Sequence, residues 1–302
     1  MSEKGRRMST DTIGIIGTGR MGTAIATRLR AQGFAVSVWN RSSEGTARAQ
    51  EAGATLAGTP AALVAGADII LSSLTDHAAL AAVLDAGALS DTPKDKLWIE
   101  MSTLLPDQQR DIAMRVEAAG ALYLECPVGG TVGPALKGAL VGMAGGSEAA
   151  WQRGKPVLEA LCKRLDHLGP VGAGSAMKLA VNLPLALYWA AMGEALTLLA
   201  DSGVDPGVAA DVMSDSSAGP AVLKNRLQVV KDTLAGADQP GTFDLNGLRK
   251  DLGLALEWAG RDGTALPLSE AARARYDAAI RSGLGGMDGA SLTRFILSGA
   301  AS

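Results

Sequence analysis

The chain is predicted to fold as an α/β domain built on a parallel sheet covered on both faces, followed by an all-helical domain. Three observations lead there. Short apolar runs alternate with helical patterns through about residue 168, a glycine-rich turn joins the first run to the first helix, and strand-like runs cease beyond the GPVGAG segment at 169–174.

The elements follow in order. TIGIIG (12–17) reads as a buried strand, GTGRMG as a turn, the stretch to Leu29 as a helix, and AVSVWN (35–40) as a second strand. Further strand-like runs lie at 68–73, 97–101 and 121–126, with helical patterns at 76–84 and 106–119. A helix over 147–161 and a strand near 164–168 close the first half. After residue 175, Ala/Leu-rich patterns of helical period dominate, broken at Asp205-Pro206, Gly219-Pro220, 237–241 and Leu266-Pro267, where proline and glycine interrupt helices. The predicted organisation is a flexible tail over 1–11, a dinucleotide-binding domain over 12–171 and a helical domain over 172–302. The most apolar stretch, 179–200, carries Asn182, Pro184 and Glu194, which a lipid-spanning helix accepts poorly. It is read as a core helix, with a kink expected at Pro184.

Composition excludes several classes. The 302 residues include 28 basic and 31 acidic side chains, a net charge of −3 without the basic face a nucleic-acid protein needs. Two cysteines and two histidines (Cys126, Cys162, His77, His167) are too few and scattered for a metal site, and both thiols read as small buried hydrophobes. The first ten residues lack the apolar core of a signal peptide, so a cytoplasmic, reducing setting is expected. No membrane partner is expected.

Gly17, Gly19 and Gly22 form G-x-G-x-x-G between a predicted strand and a predicted helix. The pattern alone is weak, since a glycine turn can exist without a ligand. Its context gives the three glycines separate roles, namely a tight turn, close approach of a pyrophosphate, and packing of helix on strand, with the phosphates at a helix N-terminus beside Arg20 and Met21. At the end of the second strand stands Asn40-Arg41-Ser42, with no carboxylate to receive the ribose hydroxyls of NAD. Arg41 offers a planar fork of donors and Ser42 a hydroxyl, which favours NADP(H). The plainer reading of Arg41 is a solvated residue after a strand. Leu74 and Thr75, after the 68–73 strand, are further candidate cofactor neighbours.

The segment 176–191 is almost wholly apolar except for Lys178 and Asn182, four residues apart and therefore on one helix face. A lysine in such a setting snorkels, finds a partner, or loses its proton through desolvation. The last is what proton transfer needs. An isolated lysine would more simply hold its ammonium in water; pairing with Asn182 next to a domain boundary favours the functional reading.

Taken together, GIIGTGRMG (14–22), Met101-Ser102-Thr103 with Pro106, CPVGGTVGPA (126–135), GSAMKLAVN (174–182) and Lys250-Asp251 resemble the β-hydroxyacid dehydrogenases, which include 3-hydroxyisobutyrate dehydrogenases and glyoxylate/succinic semialdehyde reductases. The resemblance spans about residues 12–297. It implies a Rossmann domain, a helical second domain, a homodimer or homotetramer, and hydride transfer between NADP(H) and a small hydroxy acid or its semialdehyde or keto form. It further implies Lys178 as general acid/base, Asn182 as the residue orienting it, Thr103 and Gly129, Gly130 and Thr131 in the substrate pocket, and Lys250 beside the cofactor. One departure stands out: the family's Asp-Ala-Pro-Val-Ser-Gly-Gly becomes Glu125-Cys126-Pro127-Val128-Gly129-Gly130-Thr131, so Gly129 occupies the place of a substrate-binding serine. Backbone N–H groups of Gly130 and Thr131 remain as a small anion nest. Imine reductases share the architecture, generally with Asp or Tyr in place of the lysine, and stay as an alternative, as does a non-catalytic NADP-binding protein.

Overall fold

The computed structural model describes residues 11–42, 45–90 and 95–299. Of the tail expected over 1–11, residues 1–10 lie outside them, while Asp11 is held in place, its carboxylate accepting from Arg153 Nη1 (2.6 Å) and Nη2 (2.7 Å). Packing divides the chain into a unit ending at Lys178 and a unit beginning at Leu179, a division that falls inside one long helix.

In the first unit the chain runs β1 (Thr12–Ile16), α1 (Arg20–Ala31), β2 (Ala35–Trp39), α2 (Thr46–Glu51), β3 (Thr55–Leu56), α3 (Pro60–Gly66), β4 (Ile69–Ser72), α4 (His77–Val83), β5 (Leu97–Glu100), α5 (Pro106–Ala118) and β6 (Leu122–Glu125). It continues through β7 (Val128–Gly129), α6 (Val132–Leu136), β8 (Leu140–Gly146), α7 (Glu148–Leu161) and β9 (Cys162–His167). The strand order is β3-β2-β1-β4-β5-β6-β8-β7, with β9 on β8. From β3 to β6 every pair is parallel, and β8 turns antiparallel to β6 and β7. This is the Rossmann order, in which ligands bind beyond the C-terminal strand ends.

Burial on both faces explains why the strands read as continuous apolar runs. Ile13 and Ile15 pack with Ile25 and Leu29 of α1 and Val157 and Leu161 of α7, whereas Ile16, Ile70 and Trp98 pack with Leu63, Leu80 and Ile112 on the other face. Strand β8, with sequence LVGMAGG, was not expected. Its glycines lower strand propensity, but neighbours occupy the space their side chains would take: a Cβ on Gly142 would lie 2.5 Å from Leu165 Cδ1 and 3.0 Å from Cys162 Sγ. Cys126 and Cys162 are free and buried.

Helix α8 (Ala173–Thr197) crosses from one unit to the other and continues through Pro184. The second unit holds the rest of it with α9 (Pro206–Asp215), α10 (Ala221–Leu234), α11 (Leu245–Arg261), α12 (Pro267–Ala279) and α13 (Ala290–Leu297). Asp205 and Asp244 cap α9 and α11 by accepting from Val208 N (3.0 Å) and Gly247 N (2.9 Å), and prolines open α9 and α12. Trp189, Leu196, Leu223, Leu248, Tyr276 and Phe295 form this unit's core. As the core-helix reading expects, α8 supplies Ala186, Trp189, Met192 and Leu196 to this core, while Val181 on the same helix faces outward.

At the C-terminal edge of the sheet the side chain of Glu100 is buried. Its carboxylate accepts from the Ser72 hydroxyl and from Ser102 N (2.6 Å), while Ser72 Oγ accepts from Trp98 Nε1 (2.7 Å). Burial raises its pKa to about 7, and hydrogen bonds from Ser102 and Ser72 offset only part of that. The folded protein therefore holds a proton that the unfolded chain releases near 4.5, and stability present at low pH is lost as pH rises through 7. Relative to the wild type, Glu100→Gln should gain about 3 kcal/mol of stability between pH 4 and pH 8. Urea unfolding of both proteins at the two pH values checks this; a pH-independent difference rejects it.

Candidate active site

The glycine turn has the geometry its spacing predicts. Gly17 has φ +93°, and its N–H donates to Trp39 O (2.9 Å), joining the turn to the end of β2. A Cβ on Gly22 would lie 1.8 Å from Gly17 O, so α1 meets β1 only because residue 22 is glycine. A Cβ on Gly19 would meet nothing within 4 Å. Gly19 is also the N-cap of α1 and offers no side-chain cap, so the helix presents uncapped N–H groups beneath open space. These features fit a dinucleotide pyrophosphate. Arg20 is exposed and Met21 packs partly against the core.

At the end of β2, Asn40 acts as a clamp. Its Oδ1 accepts from Thr18 N (3.1 Å), and its Nδ2 donates to Ser42 O (2.9 Å) and Ser42 Oγ (3.2 Å). It thereby ties the glycine turn to the segment bearing Arg41 and Ser42, both exposed. The loops after β4 and β5 are tied similarly: Leu74 N donates to Ser102 Oγ (2.8 Å), bringing the Leu74-Thr75 segment beside Thr103. Ser102, which sequence reasoning used only as a motif residue, holds these candidates together.

On α8, Ser175, Lys178 and Asn182 are all buried, and their spacings of three and four residues set them along one face. Asn182 Nδ2 donates to Asp251 Oδ2 at 2.6 Å, and Asp251 Oδ1 lies 3.4 Å from Lys250 Nζ. The buried Asp251 thus links two predicted site residues. Sequence reasoning quoted it only beside Lys250. Glu125 was likewise missed as a participant, although an acidic residue closing the apolar run ALYLEC is a signal in itself; its carboxylate binds the start of α8.

Gly129 and Gly130 end β7 and begin the turn into α6, with Thr131 as the N-cap. Gly130 has φ +115°, which only glycine adopts readily. Gly129 has no such requirement, and a Cβ there would lie 3.6 Å from Val141 Cβ, an ordinary contact. Nothing steric excludes a serine. A cleft of about 660 Å³ is lined by α11 and α12 residues including Arg249, Lys250, Glu257 and Arg273; of the predicted site residues it is bordered by Lys250 and by neither Lys178 nor Asn182.

Residues 12–169 match the family described as the NAD binding domain of 6-phosphogluconate dehydrogenase, and residues 172–296 match the NAD-binding domain of NADP-dependent 3-hydroxyisobutyrate dehydrogenase. The chain belongs to the β-hydroxyacid dehydrogenase family. A mitochondrial 3-hydroxyisobutyrate dehydrogenase of Drosophila melanogaster is 30% identical over 290 residues, covering 94% of this chain and 90% of the relative. The solved 3-hydroxyisobutyrate dehydrogenase of Mycobacterium tuberculosis with L-serine has a TM-score of 0.85 at 26% identity, covering 95% of this chain and 99% of that one. Psf3, solved with NADP+ and 2-OPP, has a TM-score of 0.82 at 27% identity, covering 95% and 99%. This β-hydroxyacid dehydrogenase is therefore an oxidoreductase with a nicotinamide dinucleotide cofactor.

Proposed function

We propose that the protein uses NADP(H) to interconvert a small β-hydroxy acid and its semialdehyde or keto form, with Lys178 as general acid/base. The observation that carries this reading is a buried lysine one helical turn from a buried asparagine whose amide is fixed by Asp251. When bound, the dinucleotide exchanges a hydride at nicotinamide C4. Lys178 then gives a proton to the substrate oxygen in reduction and removes it in oxidation. Asn182, held by Asp251, orients substrate and lysine, so the protein's share is positioning and proton transfer. Backbone donors at Gly130 and Thr131 and the side chain of Thr103 serve the substrate, and Lys250 the cofactor. NADP(H) is favoured by the absence of a carboxylate after β2, by the exposed Arg41 and Ser42, and by a relative solved with NADP+.

Lys178→Ala is expected to lower kcat about a hundredfold or more, the scale of a lost proton donor, while NADPH affinity stays nearly constant. Steady-state kinetics and cofactor titration on a panel of short semialdehydes, glyoxylate and a cyclic imine check this. Unchanged turnover rejects the lysine's role, and faster wild-type turnover of the imine moves the assignment to imine reduction.

NADPH should bind at least about tenfold more tightly than NADH, a difference of about 1.4 kcal/mol, and Arg41→Ala should remove most of it. Equal wild-type affinities overturn the preference.

Gly129→Ser probes the substrate. A hydroxyl donating to a charged acceptor contributes about 1.5 to 3 kcal/mol, so KM for succinic semialdehyde should fall about tenfold or more, with an uncharged aldehyde of the same length unaffected. An equal response of both substrates shows that residue 129 does not touch them.

A further inference from the structure

Glu125, the last residue of β6, is fully buried, and its carboxylate accepts four hydrogen bonds from the beginning of α8. Oε1 accepts from Gly172 N (2.5 Å) and Gly174 N (2.9 Å), and Oε2 from Ser175 N (3.2 Å) and Ser175 Oγ (2.7 Å). Glycines make room for it. A Cβ on Gly145 of β8 would lie 2.4 Å from Glu125 Oε1, and one on Gly174 would lie 2.3 Å from Met143 O.

Burying a carboxylate carries a desolvation cost, and here burial pushes the pKa up despite all four donors. Cohesion alone does not call for that arrangement, since well-packed apolar groups commonly do as well or better at buried ionic positions. What four directed bonds add is geometry. They fix the height and rotation of the first turn of α8, and Ser175, which donates two of them, lies three residues before Lys178 on the same side of the helix.

We propose that Glu125 is a positioning residue for proton transfer, setting where the Lys178 side chain stands by holding the first turn of α8. The proposal rests on the reading of Lys178 as general acid/base. It differs from a purely structural role in one measurable respect: Glu125 matters to turnover only while Lys178 is there to be positioned.

The test is a double-mutant cycle with Glu125→Gln and Lys178→Ala. Because a misplacement of about 1 Å at a reacting group can cost about a hundredfold, Glu125→Gln alone should lower kcat at least about tenfold, with KM and the NADPH dissociation constant changed less than about threefold. In the Lys178→Ala background the same substitution should change kcat by less than about twofold, the non-additivity of residues acting as one unit. An equal loss of kcat in both backgrounds, or an unchanged kcat in the single variant, overturns the proposal. Ser175→Ala removes one hydrogen bond without adding an atom. It should lower kcat about two- to fivefold with the same dependence on Lys178, and it decides the matter alone if Glu125→Gln does not fold. Full turnover by Lys178→Ala itself would remove the reading beneath the proposal, an outcome the single variant distinguishes from a failure of the positioning role.

Discussion

The architecture of the first unit depends on a contact that a side chain would forbid. With no Cβ at Gly22, α1 closes onto the carbonyl of Gly17, where a Cβ would stand at 1.8 Å. That approach seats Ile25 and Leu29 of α1 beside Ile13 and Ile15 of β1, and it leaves the first N–H groups of α1 facing the open space over Gly19. Packing and ligand recognition thus share one constraint. A larger residue at 22 would displace the helix from the sheet and its N-terminus from the glycine turn together.

Around this edge the loops are held by single polar side chains, each spanning two segments. Asn40 joins the glycine turn to the segment bearing Arg41 and Ser42, Ser102 joins the loops after β4 and β5, and Glu125 joins β6 to α8. Each is satisfied on more than one side, as buried polar groups in a low-dielectric interior must be. Loops that meet ligands cannot be anchored by apolar burial on the side they present, so directed hydrogen bonds from behind supply the rigidity. The two acidic strand ends, Glu100 and Glu125, are register partners on β5 and β6, and each has its own set of donors. Proximity of like charge adds to desolvation in raising the pKa of Glu100.

Legibility in the sequence followed the range of the interaction. Strands β1, β4, β5 and β6 were readable because burial on both faces leaves an apolar run, β2 because its alternate residues Val36 and Val38 are buried, and the glycine turn because its three roles fall within six consecutive residues. Strand β8 was hidden by glycines whose space is filled by Leu165, Cys162 and Glu125, contacts invisible to periodicity. Lys178 and Asn182 were legible as polar positions one turn apart on an apolar helix. Their supports were not: Asp251 is 69 residues from Asn182, and Ser175 is 50 from Glu125. Spacing identifies which side chains share a face, whereas the partner across the face is chosen by tertiary packing.

The adjacent glycines 129 and 130 show how far geometry reaches into specificity. Gly130, at φ +115° and with Leu140 Cδ2 2.9 Å from where a Cβ would stand, is glycine for backbone and space. Gly129 is free of both constraints, since its backbone suits any residue and its nearest neighbours would stand at ordinary contact distance. A serine hydroxyl there would meet no obstacle inside the unit. Its absence is therefore a property of what the loop presents outward rather than of how the loop folds. The segment from Pro127 to Gly130 buries Pro127 and Val128 and carries no side-chain hydrogen-bond donor before Thr131. Ahead of Thr131 the loop has only backbone N–H groups to offer an anion, and these bind by position and cannot adjust as a hydroxyl rotor does.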